Sequence, residues 1–174
     1  NVVDMKKGEY VKTIQTGAGA EGIDISPDGK EVWIGNRAAN TVSVIDVESL
    51  EVTATLESQG FPIRVKFTAD GKYLLASNME ANEIGVFDVK SRKEIQRIPV
   101  HGSEIDKETG ITLPASANPT PIGILVHPNN KFAFIANSGA NIVSVIDLEQ
   151  WKVVARIKTG NTPDGMAFSK LNIK

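Results

Sequence analysis

The chain has 174 residues, 41% of them hydrophobic and 23% charged, with no cysteine and 19 Lys plus Arg against 21 Asp plus Glu, a net charge of −2. That is ordinary globular composition, and it excludes disulfide staples, thiol nucleophiles, cysteine-ligated zinc, iron–sulfur clusters and thioether-attached haem. The balanced charge gives no drive toward nucleic acid, and no apolar run in the sequence approaches the roughly 18 residues of a membrane span, so neither nucleic acid binding nor membrane insertion is expected.

Taken in chain order, residues 1–16 read as the last half of a four-stranded unit, opening on Val2-Val3-Asp4. Residues 17–58 are the first whole unit. In it a short apolar run at 23–26 ends at the turn signal Pro27-Asp28-Gly29, and 32–35 follows as the hairpin partner. Residues 41–47 alternate with β-branched side chains, Glu48-Ser49-Leu50 turns the chain, and 52–56 completes the sheet. Residues 59–100 repeat the unit, 101–118 are an inserted loop, and 119–160 repeat it again. Residues 161–174 begin a further copy, with 165–169 as its first strand.

The copies keep a fixed register. Asp28-Gly29-Lys30 recurs as Asp70-Gly71-Lys72 and, degraded, as Asn129-Asn130-Lys131. Eight residues on stand Asn36, Asn78 and Asn137; four further stand Asn40, Asn82 and Asn141; six beyond those stand Asp46, Asp88 and Asp147. The first step is 42 residues and the second is 59, the same 42 with 17 inserted. No helical period is sustained, so the chain reads as all-β. A lone four-stranded sheet of this size cannot bury both faces, whereas radial stacking sets each sheet between two neighbours. The expectation is a β-propeller of four-stranded antiparallel blades, a partial ring of three whole blades with partial blades at both ends.

The segment Ser26-Pro27-Asp28-Gly29-Lys30-Glu31-Val32-Trp33-Ile34-Gly35-Asn36, followed by Asn40-Thr41-Val42-Ser43-Val44-Ile45-Asp46, resembles the YVTN family of bacterial and archaeal β-propellers. The third copy, Phe134-Ile135-Ala136-Asn137 with Asn141-Ile142-Val143-Ser144-Val145-Ile146-Asp147, matches equally well. The resemblance implies a propeller commonly of seven blades, often exported or at the cell surface, hence an extracytoplasmic setting, with few assigned activities. WD-repeat propellers share the period, but their Gly-His start is lacking and Ile-Asp or Phe-Asp stands where they have Trp-Asp. Seven such blades need about 294 residues. Three readings of the shortfall stay open: a piece of a longer propeller, a half-ring completed as a homodimer, and a four-bladed monomer closed by its own ends.

Propellers host unrelated activities on one scaffold, so function is argued from sites. Loops joining second to third strands fall on one face with the blade-to-blade connections and the insertion; the Asp-Gly and Glu-Ser turns fall on the other. The first, loop-bearing face is the expected binding face, and its candidates are Arg37, Arg64, Glu80, His101 and Asp164. Arg64 stands where other copies have Gly22, Gly123 and Gly165, at the entry to an innermost strand; it suits an anion or carboxylate, or a pairing with a neighbouring Glu. Asp24 and Lys66 hold equivalent positions one blade apart, as candidates for the channel or for an inter-blade pair. The repeated asparagines read as structural, through loop hydrogen bonds or positive φ.

His127 reads as a turn residue, and with His101 far from it in register a histidine metal centre is not expected. Glu104-Ile105-Asp106-Lys107-Glu108 lacks the Asp-x-Asp-x-Asp-Gly pattern of a calcium loop, and Trp33 and Trp151 read as packing aromatics. No catalytic residue, metal or cofactor is therefore expected. The sequence favours a non-catalytic scaffold that uses its loop face for a protein, glycan or small ligand. The alternative is a propeller-type enzyme or redox subunit, lactone hydrolase-like, with its site in the central channel.

Overall fold

Runs of β-branched and aromatic residues separated by Asp, Asn and Gly turns pair here as antiparallel sheets. The computed structural model describes residues 1–101, 111, 113 and 117–171. A two-stranded sheet pairs β1 (Val2–Asp4) with β2 (Glu9–Lys12). The first blade is β3 (Ala20–Ile25), β4 (Glu31–Asn36), β5 (Thr41–Asp46) and β6 (Glu51–Glu57), hydrogen-bonded in that order. The second is β7 (Pro62–Phe67), β8 (Tyr73–Asn78), β9 (Glu83–Asp88) and β10 (Lys93–Pro99). The third is β11 (Pro121–Val126), β12 (Phe132–Asn137), β13 (Ile142–Asp147) and β14 (Lys152–Lys158). β3, β7 and β11 pack side by side, which makes them the innermost strands of neighbouring propeller blades.

The core lies between blades. Trp33, Val42 and Val44 pack on Val65, Phe67, Leu74 and Phe87 of the second blade, with Trp33 and Phe67 edge to face at 5.7 Å. Leu75, Ile84, Val86 and Ile98 pack on Ile135, Ile146 and Val153 of the third. Trp151 packs edge to face on Tyr73 at 5.0 Å. Both faces of a middle blade are thus buried, the physical reason for its nearly continuous apolar runs.

The turns opposite the loop face are built from the repeated acids. Asp28 Oδ1 accepts from Lys30 N, Asp70 Oδ1 from Lys72 N, and Asn129 Oδ1 from Lys131 N. The next residue needs positive φ, supplied by Gly29 (73°), Gly71 (70°) and, in the degraded copy, Asn130 (62°). In the other turn set Asp46 accepts from Ser49 N, Asp88 from Ser91 N and Asp147 from Gln150 N.

One expectation meets a different outcome, and one falls outside the described residues. The strand expected at 165–169 does not form: residues 163–170 carry no strand. Lys170-Leu171 stand where the other copies turn, and among the described residues no strand pairs with this segment. The segment still lies beside the third blade, with Thr162 N donating to Asn141 Oδ1 at 2.8 Å, Ser138 Oγ donating to the Pro163 carbonyl, and Phe168 edge to face on His127. The acids Glu104, Asp106 and Glu108 of the insertion lie outside the described residues.

Candidate functional site

The loop face is held by asparagines. Asn40, Asn82 and Asn141 adopt φ of 53°, 56° and 55°, a left-handed conformation that Asn tolerates better than most residues. This aims each side chain across the gap to the next blade. Asn40 Oδ1 accepts from Gly60 N at 3.2 Å and Phe61 N at 2.7 Å, and Asn82 Oδ1 from Thr120 N at 2.9 Å. Inside the blades, Asn36 Nδ2 donates to Ser43 Oγ at 2.8 Å and Asn137 Nδ2 to Ser144 Oγ at 3.0 Å. Gly60 and Phe61 of the first connection, and Thr120 at the entry to β11, are thus tied to the preceding blade, a held backbone on which side chains can be positioned.

On that surface Arg37 and Arg64 converge on one carboxylate. Glu21 Oε1 is 2.7 Å from Arg64 Nη1 and Glu21 Oε2 is 2.8 Å from Arg37 Nε. Arg64 Nη1 also donates to the Ile63 carbonyl at 3.0 Å, and the Arg37 guanidinium lies 5.1 Å from the centre of the Phe61 ring. β3 and β7 come this close because Gly22 has no side chain: a Cβ there would meet Arg64 Cα at 2.5 Å and the Ile63 carbonyl oxygen at 2.7 Å. Two guanidiniums against one carboxylate leave a net positive charge, and the Arg37 and Arg64 side chains are 44% and 35% exposed. Their remaining N–H donors form a planar fork suited to a second carboxylate or another oxyanion.

On the innermost strands Lys66 Nζ lies 3.0 Å from Asp24 Oδ1, and Phe67 N donates to Asp24 Oδ2 at 2.8 Å. Asp24 commits both oxygens to the neighbouring blade, an inter-blade link that leaves little for a channel ligand. Glu80 is exposed on the loop face, its backbone N–H donating to the Gly60 carbonyl; His101 is half-buried after β10; Asp164 is exposed beside β11. Among the described residues these three make no ion pair or hydrogen bond with the Arg37–Glu21–Arg64 group. Glu21 and Phe61 were not legible as site residues. The available signal was that Glu21 is charged where the other whole copies have Ile63 and Ile122.

The opposite face offers a cleft of about 430 Å³ between the first two blades, lined by Pro27, Asp28, Lys30, Glu31, Asp70 and Gly71. Its carboxylates are engaged. The Ser26 hydroxyl and the Lys30 N–H hold Asp28 below the ordinary carboxylate range, and Glu31 is taken by Arg92 at 2.7 Å and by Trp33 Nε1 at 2.9 Å. Burial pushes Asp70 up, but hydrogen bonds from Asn130, Thr68 and Lys72 outweigh it and leave this carboxyl well below its usual range. Among the described residues no group of three or more His, Asp or Glu is arranged to hold a metal ion.

A family model for YNCE-like beta-propellers matches residues 1–109. Among solved structures, a chain of Kuenenia stuttgartiensis hydrazine synthase is similar, with 28% identity and a TM-score of 0.72 over 91% of this chain. This chain spans 41% of that one. Among curated proteins none matches.

Proposed function

The chain belongs to the YNCE-like beta-propeller family, and from that premise we propose that it is a non-catalytic binding scaffold whose loop face captures a ligand through a carboxylate or similar oxyanion. The observation that carries this reading is the convergence of Arg37 and Arg64 on the single acid Glu21, beside the Phe61 ring. The tie of Gly60 and Phe61 to Asn40 and the ion pairs to Glu21 hold that group in place without ligand, so little ordering cost opposes binding. The Asn and Pro-Asp-Gly registers support the finer inference that the blades are of the YVTN type.

The test is titration with a small dicarboxylate and with an acidic peptide, followed by NMR of the arginine side chains and of the Phe61 amide. Saturable shifts at Arg37, Arg64 and Phe61 that vanish in Arg37→Ala/Arg64→Ala support the reading. Shifts unchanged in that variant, or none through millimolar ligand, overturn it. A second reading, a redox-enzyme subunit whose cofactor comes from elsewhere, is favoured by the likeness to a hydrazine synthase chain; a partner carrying a redox cofactor that co-purifies stoichiometrically would put it first.

A further inference from the structure

The first and third blades each bury an asparagine–serine pair, Asn36 with Ser43 and Asn137 with Ser144, and all four residues are at most 1% exposed. The second blade keeps the asparagine as Asn78 but has Gly85 where the serine belongs. It also has Glu94 where the other two blades have Val52 and Val153. Asn78 is fully buried, and its Nδ2 finds no hydrogen-bond acceptor; Glu94 Oε1, also buried, finds no donor. The orientation of the Asn78 amide is set by Ser58 Oγ, which donates to Asn78 Oδ1 at 2.9 Å.

These two atoms both border Gly85. A Cβ on Gly85 would lie 2.8 Å from Glu94 Oε1 and 3.1 Å from Asn78 Nδ2, with the Phe87 ring 3.4 Å away. The Cβ position itself is crowded at 2.8 Å, so a group that bridges the two atoms stands off from the Gly85 Cα, accepts from the amide N–H and donates to the carboxylate oxygen. A metal cation gains nothing from the amide donor, an anion is repelled by Glu94, and an apolar filler leaves two buried polar atoms unpaired at substantial cost. A water molecule meets both demands.

We propose that one structural water is bound beside Gly85, where it accepts from Asn78 Nδ2 and donates to Glu94 Oε1, the role that the serine hydroxyl has toward the asparagine in the other blades. It closes a ring of hydrogen bonds. From Ser58 the ring runs through Asn78, the water and Glu94 to Arg97, whose Nε and Nη2 donate to Glu94 Oε2 at 3.1 and 2.9 Å. Arg97 Nη1 then donates to the Gln59 carbonyl at 3.3 Å. The ring starts and ends on neighbouring residues of the connection that carries Phe61, so this water braces one edge of the loop face from within the second blade.

Gly85→Ser and Gly85→Ala separate this from simple packing, because both add the same Cβ and only serine supplies a hydroxyl. The expected result is that Gly85→Ser melts higher than Gly85→Ala by about 2–8 °C. Equal melting, or a higher value for alanine, overturns the site. Should the alanine variant fail to fold, a crystal structure of the unaltered chain at about 1.5 Å or better decides. A density peak within hydrogen-bond reach of both atoms supports the proposal, and a direct Asn78–Glu94 contact or absent density overturns it.

Discussion

Asp24 grips the next blade twice, with Oδ1 3.0 Å from Lys66 Nζ and Oδ2 accepting from the Phe67 backbone N–H at 2.8 Å. The two halves of that grip are unequal. Lys66 is 41% exposed, so its ion pair is screened, while the 15% exposed carboxylate shields the Phe67 N–H from water. Asp24→Ala is therefore expected to cost about 1–3 kcal/mol, and Lys66→Ala less than about 1 kcal/mol. Urea unfolding of both variants checks this; a Lys66→Ala loss as large as that of Asp24→Ala would show that the ion pair, not the backbone bond, joins the blades.

Asn82 combines a positive φ with a bond from Thr120 N, and different substitutions divide the two contributions. An aspartate in its place keeps the acceptor and tolerates the conformation, glycine keeps only the conformation, and alanine keeps neither. The expected order of thermal stability is Asn82→Asp above Asn82→Gly above Asn82→Ala, with alanine lower than the native chain by about 1–3 kcal/mol. Alanine at or above glycine would remove the conformational argument.

These local devices explain why so much of the fold was legible. A turn acid caps N–H groups two or three residues away, and a left-handed asparagine is a property of its own backbone, so both leave a periodic mark in the sequence. Strand positions followed from the same marks, although β3 begins at Ala20, earlier than the apolar run at 23–26 suggested. The site was less legible because Glu21 and Arg64 lie 43 residues apart and meet only through the packing of β3 on β7. The missing strand at 165–169 has a related cause: apolar residues alone do not make a strand without a partner to ladder with.

Acid stability follows from the turn carboxylates. Asp28, Asp46, Asp70, Asp88 and Asp147 all titrate below the ordinary 3.8 when folded. The leading causes are the Ser26 hydroxyl for Asp28, the Ser49 N–H for Asp46, the Ser91 hydroxyl for Asp88 and the Gln150 N–H for Asp147, while for Asp70 opposing burial is outweighed by Asn130, Thr68 and Lys72. A depressed folded pKa means that the unfolded chain takes up protons first. The stabilisation is present above 3.8 and is lost as pH falls through the folded values. Melting temperature is expected to be level from neutral pH to about 5 and to fall below about 4, and Asp70→Asn should flatten that fall most. An acid limb unchanged in Asp70→Asn would show that Asp70 does not link the second and third blades through Asn130.

Glu21 gives the loop face a test with opposite signs. It occupies donors of both Arg37 and Arg64 and so competes with any incoming carboxylate. Glu21→Gln removes the competing charge and leaves both guanidiniums, and should tighten binding of a small dicarboxylate by about 3–10-fold at low salt. Arg64→Ala should weaken it by a comparable factor, and both effects should shrink as ionic strength rises. A loss of Arg37 order on removing Glu21 would blunt the gain, so Arg37 side-chain resonances are followed in the same titration. If Glu21→Gln weakens binding while those resonances stay sharp, Glu21 does not compete with the incoming carboxylate, and the Arg37–Arg64 pair is not where the dicarboxylate binds.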